Sequence, residues 1–215
     1  MRDYLRLTIV LAAISAVAGG LLALVNTFTE PKIMAYQATA EANAYREVLP
    51  AADEFQSLPA NEMVKVKQNP ETAGIEDIKV GTKAGQPIGW ICKVASYGYS
   101  SDIKLLVGIG KDAKLGGILV LSQNETPGLG TNVTEKEFIG QSEITNAQPQ
   151  QDLKVKKDGG MVQAVAGATI SSRAVLRGIN QAFIFYRGQT NGTKAAGKNS
   201  DAITDATKLE QKAKK

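Results

Sequence analysis

The 215-residue chain carries 25 Lys and Arg against 21 Asp and Glu, a net charge of +4, and 43% of its residues are hydrophobic. It has no His, which removes imidazole as metal ligand and as general base, and its single Cys92 can form neither an internal disulfide nor a thiolate cluster. Zinc, haem and iron–sulfur centres therefore lack their usual donors, and no metal site is expected. The charge sits at the ends. Residues 1–28 sum to +1 (Arg2 and Arg6 against Asp3), and residues 188–215 to +3 (six Lys against Asp201, Asp205 and Glu210), so the middle is neutral. A nucleic-acid footprint needs Lys and Arg clustered on the folded part, so nucleic acid is not expected as a partner.

From Leu7 to Val25 there is no charged residue, and roughly 20 apolar residues suffice for a helix to cross the hydrocarbon core. A cleaved signal peptide competes with this reading, because Ala16-Val17-Ala18 offers a small-residue cleavage site. Its apolar region is usually only ~7–15 residues long, whereas Leu21, Leu22, Leu24 and Val25 carry the run past that site. We therefore expect an uncleaved single-pass anchor over residues 1–28, in contact with membrane lipid. Arg2, Arg6 and the amino terminus precede the span, while Glu30 and Lys32 cancel behind it. The positive-inside rule then keeps the N-terminus in the cytoplasm and exports the main domain. Gly19-Gly20 with Ala12, Ala16 and Ala23 would admit a closely packed neighbouring helix, although such residues are common in any span.

The exported domain is expected over residues 29–187. Ile33 to Leu49 is rich in Ala and Glu and predicts a helix, which Pro50 ends. Strands are predicted near Ile78–Thr82, Ile88–Ala95, Lys104–Ile109, Gly117–Gln123, Leu153–Val155 and Met161–Val165. The turns Lys83-Ala84-Gly85-Gln86 and Gly110-Lys111-Asp112-Ala113 suit hairpins. Cys92 and Trp90 lie in one of these strands and are expected in the core. Thr134–Gly140 predicts a short helix and Ser171–Tyr186 the last long one. The fold class is thus α+β, a largely antiparallel sheet with flanking helices behind one transmembrane helix. Residues 188–215 are poor in large apolar residues and predict a disordered basic tail.

Three loops carry candidate chemistry. Ala166-Gly167-Ala168-Thr169-Ile170-Ser171-Ser172 joins an apolar run to a helical one. The first turn of a helix has unpaired N–H groups and attracts phosphate. Thr169 sets a hydroxyl there, to donate to a phosphate or to be esterified by it, with Ser171 and Ser172 as further donors. An ordinary N-cap is the competing reading. Glu125-Thr126-Pro127-Gly128-Leu129-Gly130 combines a fixed dihedral at Pro127, permissive glycines and an apolar Leu129, which would suit the face of a flat ring or an ordinary turn. Tyr97-Gly98-Tyr99 offers two aromatic rings for stacking, or merely ends a strand.

These motifs together resemble the RnfG subunit of Rnf complexes and the related NqrC subunit of sodium-pumping quinone reductases. Gly167-Ala168-Thr169-Ile170-Ser171 is similar to their flavinylation motif, and Glu125 to Gly130 matches their Glu-Thr-Pro-Gly-Leu-Gly loop. Tyr97-Gly98-Tyr99, followed by the strand from Ile103 to Ile109, resembles their glycine loop. The likeness runs from the anchor to about Tyr186. It implies covalent FMN as a phosphoester of Thr169, with the other named loop residues around it and no catalytic residue of the chain's own. It also implies an electron carrier in an ion-translocating ferredoxin:NAD⁺ oxidoreductase. There, electrons from ferredoxin cross the membrane to this FMN, pass to the FMN of RnfD and return to a cytoplasmic NAD⁺ site, and the energy moves Na⁺ or H⁺. RnfA, RnfD, RnfE and the remaining Rnf subunits would be partners. An NqrC-like role, a free-standing extracytoplasmic flavin carrier and a cofactor-free membrane-anchored module are the alternatives. The chain departs from the family pattern at Gln163 and Ala166, where Asp and Ser or Thr are usual; non-covalent FMN at Thr169 is the form that departure would favour.

Overall fold

The structure is a computed structural model that describes residues 2–190. It divides into two units at residues 43 and 44. The first unit is helical over its described residues, the bulk of α1 (Arg2–Val48). Over Tyr4–Glu30 this helix is long and apolar enough to cross a membrane, and none of that stretch is buried against protein. The helix expected over residues 33–49 is the continuation of the same helix, which ends immediately before Pro50.

In the second unit, strands β1 (Glu54–Ser57), β2 (Ile75–Lys83), β3 (Gln86–Tyr97), β4 (Asp102–Gly110) and β5 (Leu115–Ser122) form one antiparallel meander in chain order. Alternation dictates the two faces. Cys92 and Val94 of β3, with Ile103, Leu105, Val107 and Ile109 of β4, join the larger core. Ile91 and Leu106 point to the smaller one on the opposite face. The last helix, α5, spans residues 169–190. It covers the larger core with Ala174, Val175, Leu176, Ile179, Ala182 and Phe183, each large side chain worth ~1.5–3 kcal/mol of burial. A Cβ at Gly178 would lie 2.8 Å from Leu105 Cδ2, so this glycine lets α5 settle directly on β4. The opposite face receives Ala44, Tyr45, Val48 and Leu49 from the end of α1. A Cβ at Gly108, Gly116 or Gly117 would strike Val48, so these glycines clear a seat for that helix end.

The α+β class and the four strands expected over residues 78–123 hold, with longer bounds. Edge strand β1, helix α2 (Ala60–Gln68), which buries Val66, the 3₁₀ turn Pro70–Thr72 and the short helix Ser142–Thr145 were not predicted. The strands predicted at Leu153–Val155 and Met161–Val165 are corrected. They meet in a single parallel bridge, Val155 to Val162, outside the sheet. A 3₁₀ turn at Lys156–Asp158 and Gly159 in the left-handed region separate them, so neither run is long enough to build a ladder. The short helix predicted over 134–140 is a 3₁₀ turn, Gly130–Thr134, followed by α3 (Lys136–Ile139); α4 (Ser142–Thr145) comes next. Helix α5 begins two residues earlier than expected and continues through Gly188 to Thr190, so those first residues of the expected tail are helical. Residues 191–215 of that tail lie outside the described residues.

Candidate functional site

The three loops singled out in the sequence meet at one side chain. Glu125 follows β5 and is only 4% exposed. Its carboxylate accepts the N–H groups of Tyr99 (3.1 Å to each oxygen), Ser100 (2.9 Å) and Ser101 (3.4 Å), all in the β3–β4 hairpin loop. From the first turn of α5, Ser171 donates its hydroxyl to Glu125 Oε2 at 2.5 Å. Burial pushes the carboxyl toward a higher pKa. The donors from Ser171, Ser100, Tyr99 and Ser101 outweigh it, and the group is held below its ordinary 4.5. Glycines make room on both sides. A Cβ at Gly98 would sit 2.5 Å from Glu125 Oε1, and one at Gly130 2.6 Å from Glu125 Cβ and 2.9 Å from Ser171 Oγ.

The turn into α5 is built from its own backbone and one serine. Ala168 N–H donates to Val165 O at 3.0 Å. Between them Gly167 sits at φ +74, a conformation that glycine adopts at no steric cost. Ser172 accepts the Val165 N–H and donates to Ala168 O, both at 3.0 Å, which closes the turn from inside. Helix α5 starts at Thr169, so the N-cap position falls on Ala168, which has no capping oxygen. The Thr169 hydroxyl is half-buried and has no hydrogen-bond partner among the described residues, and the N–H groups of Thr169, Ile170 and Ser171 likewise find no acceptor there. By contrast Ser171 and Ser172 are buried, with hydroxyls committed to the protein. Of the three hydroxyls expected to meet a phosphate, one is free to do so.

Around this turn the surface is apolar. Leu129 (46% exposed) packs across Gly167, its Cδ2 lying 3.1 Å from where a Cβ there would be. Tyr97, Tyr99 and Ile170 are also exposed. The 126–130 loop is held by its own bonds, Leu129 N–H to Thr126 O and Gly128 N–H to Thr131 Oγ1, with Gly128 at φ +73 and Thr126 and Pro127 exposed. A cleft of about 880 Å³ opens between Gly128–Leu129, Phe138, Gln141 and the backbone from Gln163 to Ala166. Two positioning side chains were not found by sequence reasoning. Gln141 pairs with the backbone of Gln163 in both directions at 2.8 Å and steadies the approach to the turn. Arg177 of α5 donates to Ser96 Oγ (3.0 Å) and Tyr97 O (2.6 Å), so α5 also grips the end of β3. Neither a Gln nor an Arg in a polar context carries a local signal of such a role.

The second unit of the chain fits a cofactor with a terminal phosphate. Three unpaired N–H groups and a free hydroxyl converge at a helix start, beside apolar surface and a cleft. The comparisons with known proteins agree. A model of the FMN-binding domain matches residues 98–184, and one of the RnfG N-terminal region matches residues 2–48. The G subunit of the ion-translocating oxidoreductase complex of Methanosarcina acetivorans is 33% identical over 189 residues, covering 87% of this chain and 97% of that protein. The chain belongs to the RnfG family, the G subunits of ion-translocating oxidoreductase complexes. Two further members are the G subunit of the Na⁺-translocating ferredoxin:NAD⁺ oxidoreductase complex of Acetobacterium woodii and its proton-translocating counterpart from Clostridium ljungdahlii. The first is 31% identical over 193 residues, with 85% and 91% coverage of the two chains; the second is 30% identical over 166 residues, with 77% and 82%. This RnfG-family protein is therefore a membrane-anchored chain with an FMN-binding domain. The domain match opens at Gly98 and contains Glu125, Gly130, Thr169 and Ser171, so the whole Glu125 junction lies inside it.

Proposed function

We propose that this chain is the FMN-carrying electron relay of an Rnf-type complex, with FMN attached as a phosphoester to Thr169. The observation that carries the attachment point is the contrast among three neighbouring hydroxyls. Those of Ser171 and Ser172 are buried and bonded, while that of Thr169 has no partner among the described residues at a helix start with unpaired N–H groups. The phosphate would be met by the N–H groups of Thr169, Ile170 and Ser171, and the small Gly167 and Ala168 leave it unobstructed. Leu129, Tyr97 and Tyr99 would supply apolar and aromatic surface to the ring, with Thr126, Pro127 and Gly128 shaping the loop that carries Leu129. When bound, FMN supplies electron uptake and release in one- or two-electron steps. A covalent tether keeps it in place in either oxidation state, which matters where free FMN is not resupplied.

Arg2, Arg6 and the amino terminus ahead of the span favour a cytoplasmic N-terminus and an extracytoplasmic domain. In that arrangement ferredoxin-derived electrons would cross the membrane to this flavin, pass on to RnfD and return toward NAD⁺, with RnfA, RnfE and the remaining Rnf subunits as partners in the complex. The relatives' names include both Na⁺- and proton-translocating complexes, so either ion is compatible with the chain. The experiment is denaturing gel electrophoresis of the membrane-expressed protein beside Thr169→Val, viewed under ultraviolet light, in a host with a flavin transferase. A fluorescent band lost in the variant is expected. A dark wild-type band from yellow protein would replace the phosphoester with non-covalent FMN, and a colourless protein would remove the electron-carrier reading.

A further inference from the structure

Glu125 is not explained by a role in touching flavin. Its carboxylate is turned away from solvent and satisfied on all sides by the protein: three N–H groups of the β3–β4 loop and the Ser171 hydroxyl. Among the described residues, no Lys or Arg pairs with it. A buried anion with no counter-ion is costly unless several donors converge on it, so the fold has been shaped around this group. Gly98 and Gly130 flank it at distances that exclude a methyl group. The atoms it joins are far apart in sequence, 26 residues to Tyr99 and 46 to Ser171.

We propose that Glu125 is the positioning residue of the site: it locks the 98–101 loop to the first turn of α5 and so fixes the Thr169 hydroxyl for transfer of FMN from a flavin dinucleotide held by the transferase. In that transfer the Thr169 O–P bond forms, the phosphoanhydride bond of the dinucleotide breaks, the nucleoside monophosphate leaves and the hydroxyl proton is released. This deepens, and rests on, the reading of Thr169 as the attachment point. Ser171 is the contact on the helix side. Its hydroxyl is held by Glu125 two residues beyond Thr169, within the same turn that Ser172 closes from the other side. Without the carboxylate, the loop N–H groups and the Ser171 hydroxyl lose their shared acceptor, and the polar bonds that still hold the helix start are those of Ser172, the Arg173–Asp158 pair and Arg177. Glu125 acts through Ser171, since Thr169 makes no bond to it.

The test compares Glu125→Ala, Glu125→Gln and Ser171→Ala with wild type in the full-length, membrane-expressed protein. Two readouts are taken: the fraction of chain carrying in-gel flavin fluorescence, and amide hydrogen exchange of residues 97–101, 164–172 and the β3–β4 ladder. Loss of positioning by about 1 Å reduces such reactions by up to ~100-fold, so Glu125→Ala is expected to lower the labelled fraction at least about tenfold when labelling time is limiting. Exchange should speed up in both 97–101 and 164–172, with the β3–β4 ladder unchanged. Gln retains an acceptor for the loop and can donate its amide to Ser171 Oγ, so Glu125→Gln is expected to restore most of the labelling. Ser171→Ala should reproduce the change at 164–172 and leave 97–101 near wild type. Unchanged exchange at 164–172 in Glu125→Ala would overturn the proposal, as would a labelled fraction equal to wild type. If wild type itself is dark while the exchange coupling is present, the Glu125 lock stands and the phosphoester at Thr169 falls.

Discussion

Replacing Gly130 by Ala adds one methyl group at the most crowded point of the Glu125 junction. The new Cβ would lie 2.6 Å from Glu125 Cβ, 2.8 Å from Oε2 and 2.9 Å from Ser171 Oγ. Ordinary carbon contacts are ~3.5–4.0 Å, so the loop must move by roughly 1 Å. The nearest atom is next to the main chain and cannot swing aside as a side-chain tip would. Overpacking of this kind costs ~1–3 kcal/mol. The variant also gains about 0.4–1 kcal/mol from a less flexible unfolded chain, because Gly130 does not have a positive φ. A net loss of about 1–2 kcal/mol follows. For a domain of roughly 150 residues that lowers Tm by ~2–8 °C. The assay is thermal unfolding by circular dichroism of detergent-solubilised protein, run beside in-gel flavin fluorescence. Gly85→Ala is the control. Gly85 sits at φ +76 at the tip of the β2–β3 hairpin, with nothing within 4 Å of an added Cβ. It should also lose stability, through backbone strain alone, but keep full flavin labelling, whereas Gly130→Ala loses both. A Gly130→Ala protein with Tm within about 1 °C of wild type and full labelling would refute the packing described around Glu125.

Thr169→Val should leave the unfolding free energy within about 0.5 kcal/mol of wild type, because the lost hydroxyl has no partner among the described residues, while covalent flavin disappears from the gel band. Ser172→Ala should destabilise by about 1–3 kcal/mol in chemical denaturation. It strips the Val165 N–H of its acceptor and Ala168 O of a donor in a fully buried position. The pH dependence follows from Glu125, whose carboxyl is held below 4.5 by the donors around it. A depressed native pKa contributes stability that is present above the unfolded value and is lost as pH falls through the native one. Exchange at residues 99–101 should therefore be flat at neutral pH and accelerate, relative to the intrinsic rate, only as pH drops below 4.5. Glu125→Gln should abolish that acid limb; a limb that persists in the variant would assign it to another carboxylate.

Much of the sheet was legible because β2 to β5 alternate apolar residues between glycine turns. Strand β1 was not, since Glu54-Phe55-Gln56-Ser57 holds one apolar residue and is secured by its pairing with β2 rather than by its own pattern. The runs 153–155 and 161–165 show the opposite failure. Val155 and Val162 are apolar because they are buried in the main core, but the turn between them prevents a ladder. At the site, each of the three loops was visible as a motif, and their meeting was not. Hydrogen bonds spanning 26 and 46 residues leave no local periodicity. For the same reason the sequence leaves open whether Ser171 and Ser172 offer a phosphate their hydroxyls or their N–H groups, whereas the fold uses both hydroxyls to hold the turn together. Thr169 differs from them only in which way α5 faces when it docks on β4, and that is a tertiary fact.

The central claim, FMN on Thr169, is tested most directly by fragment mass spectrometry of a tryptic digest of the membrane-expressed protein. Cleavage after Lys157 and Arg173 releases one peptide, Asp158 to Arg173, that contains Thr169, Ser171 and Ser172 and no other hydroxyl side chain. The account predicts an FMN phosphoryl adduct on this peptide whose fragment ions place it on Thr169, with both serines unmodified. An adduct on Ser171 or Ser172, or a peptide wholly without flavin from protein made alongside the transferase, would contradict it.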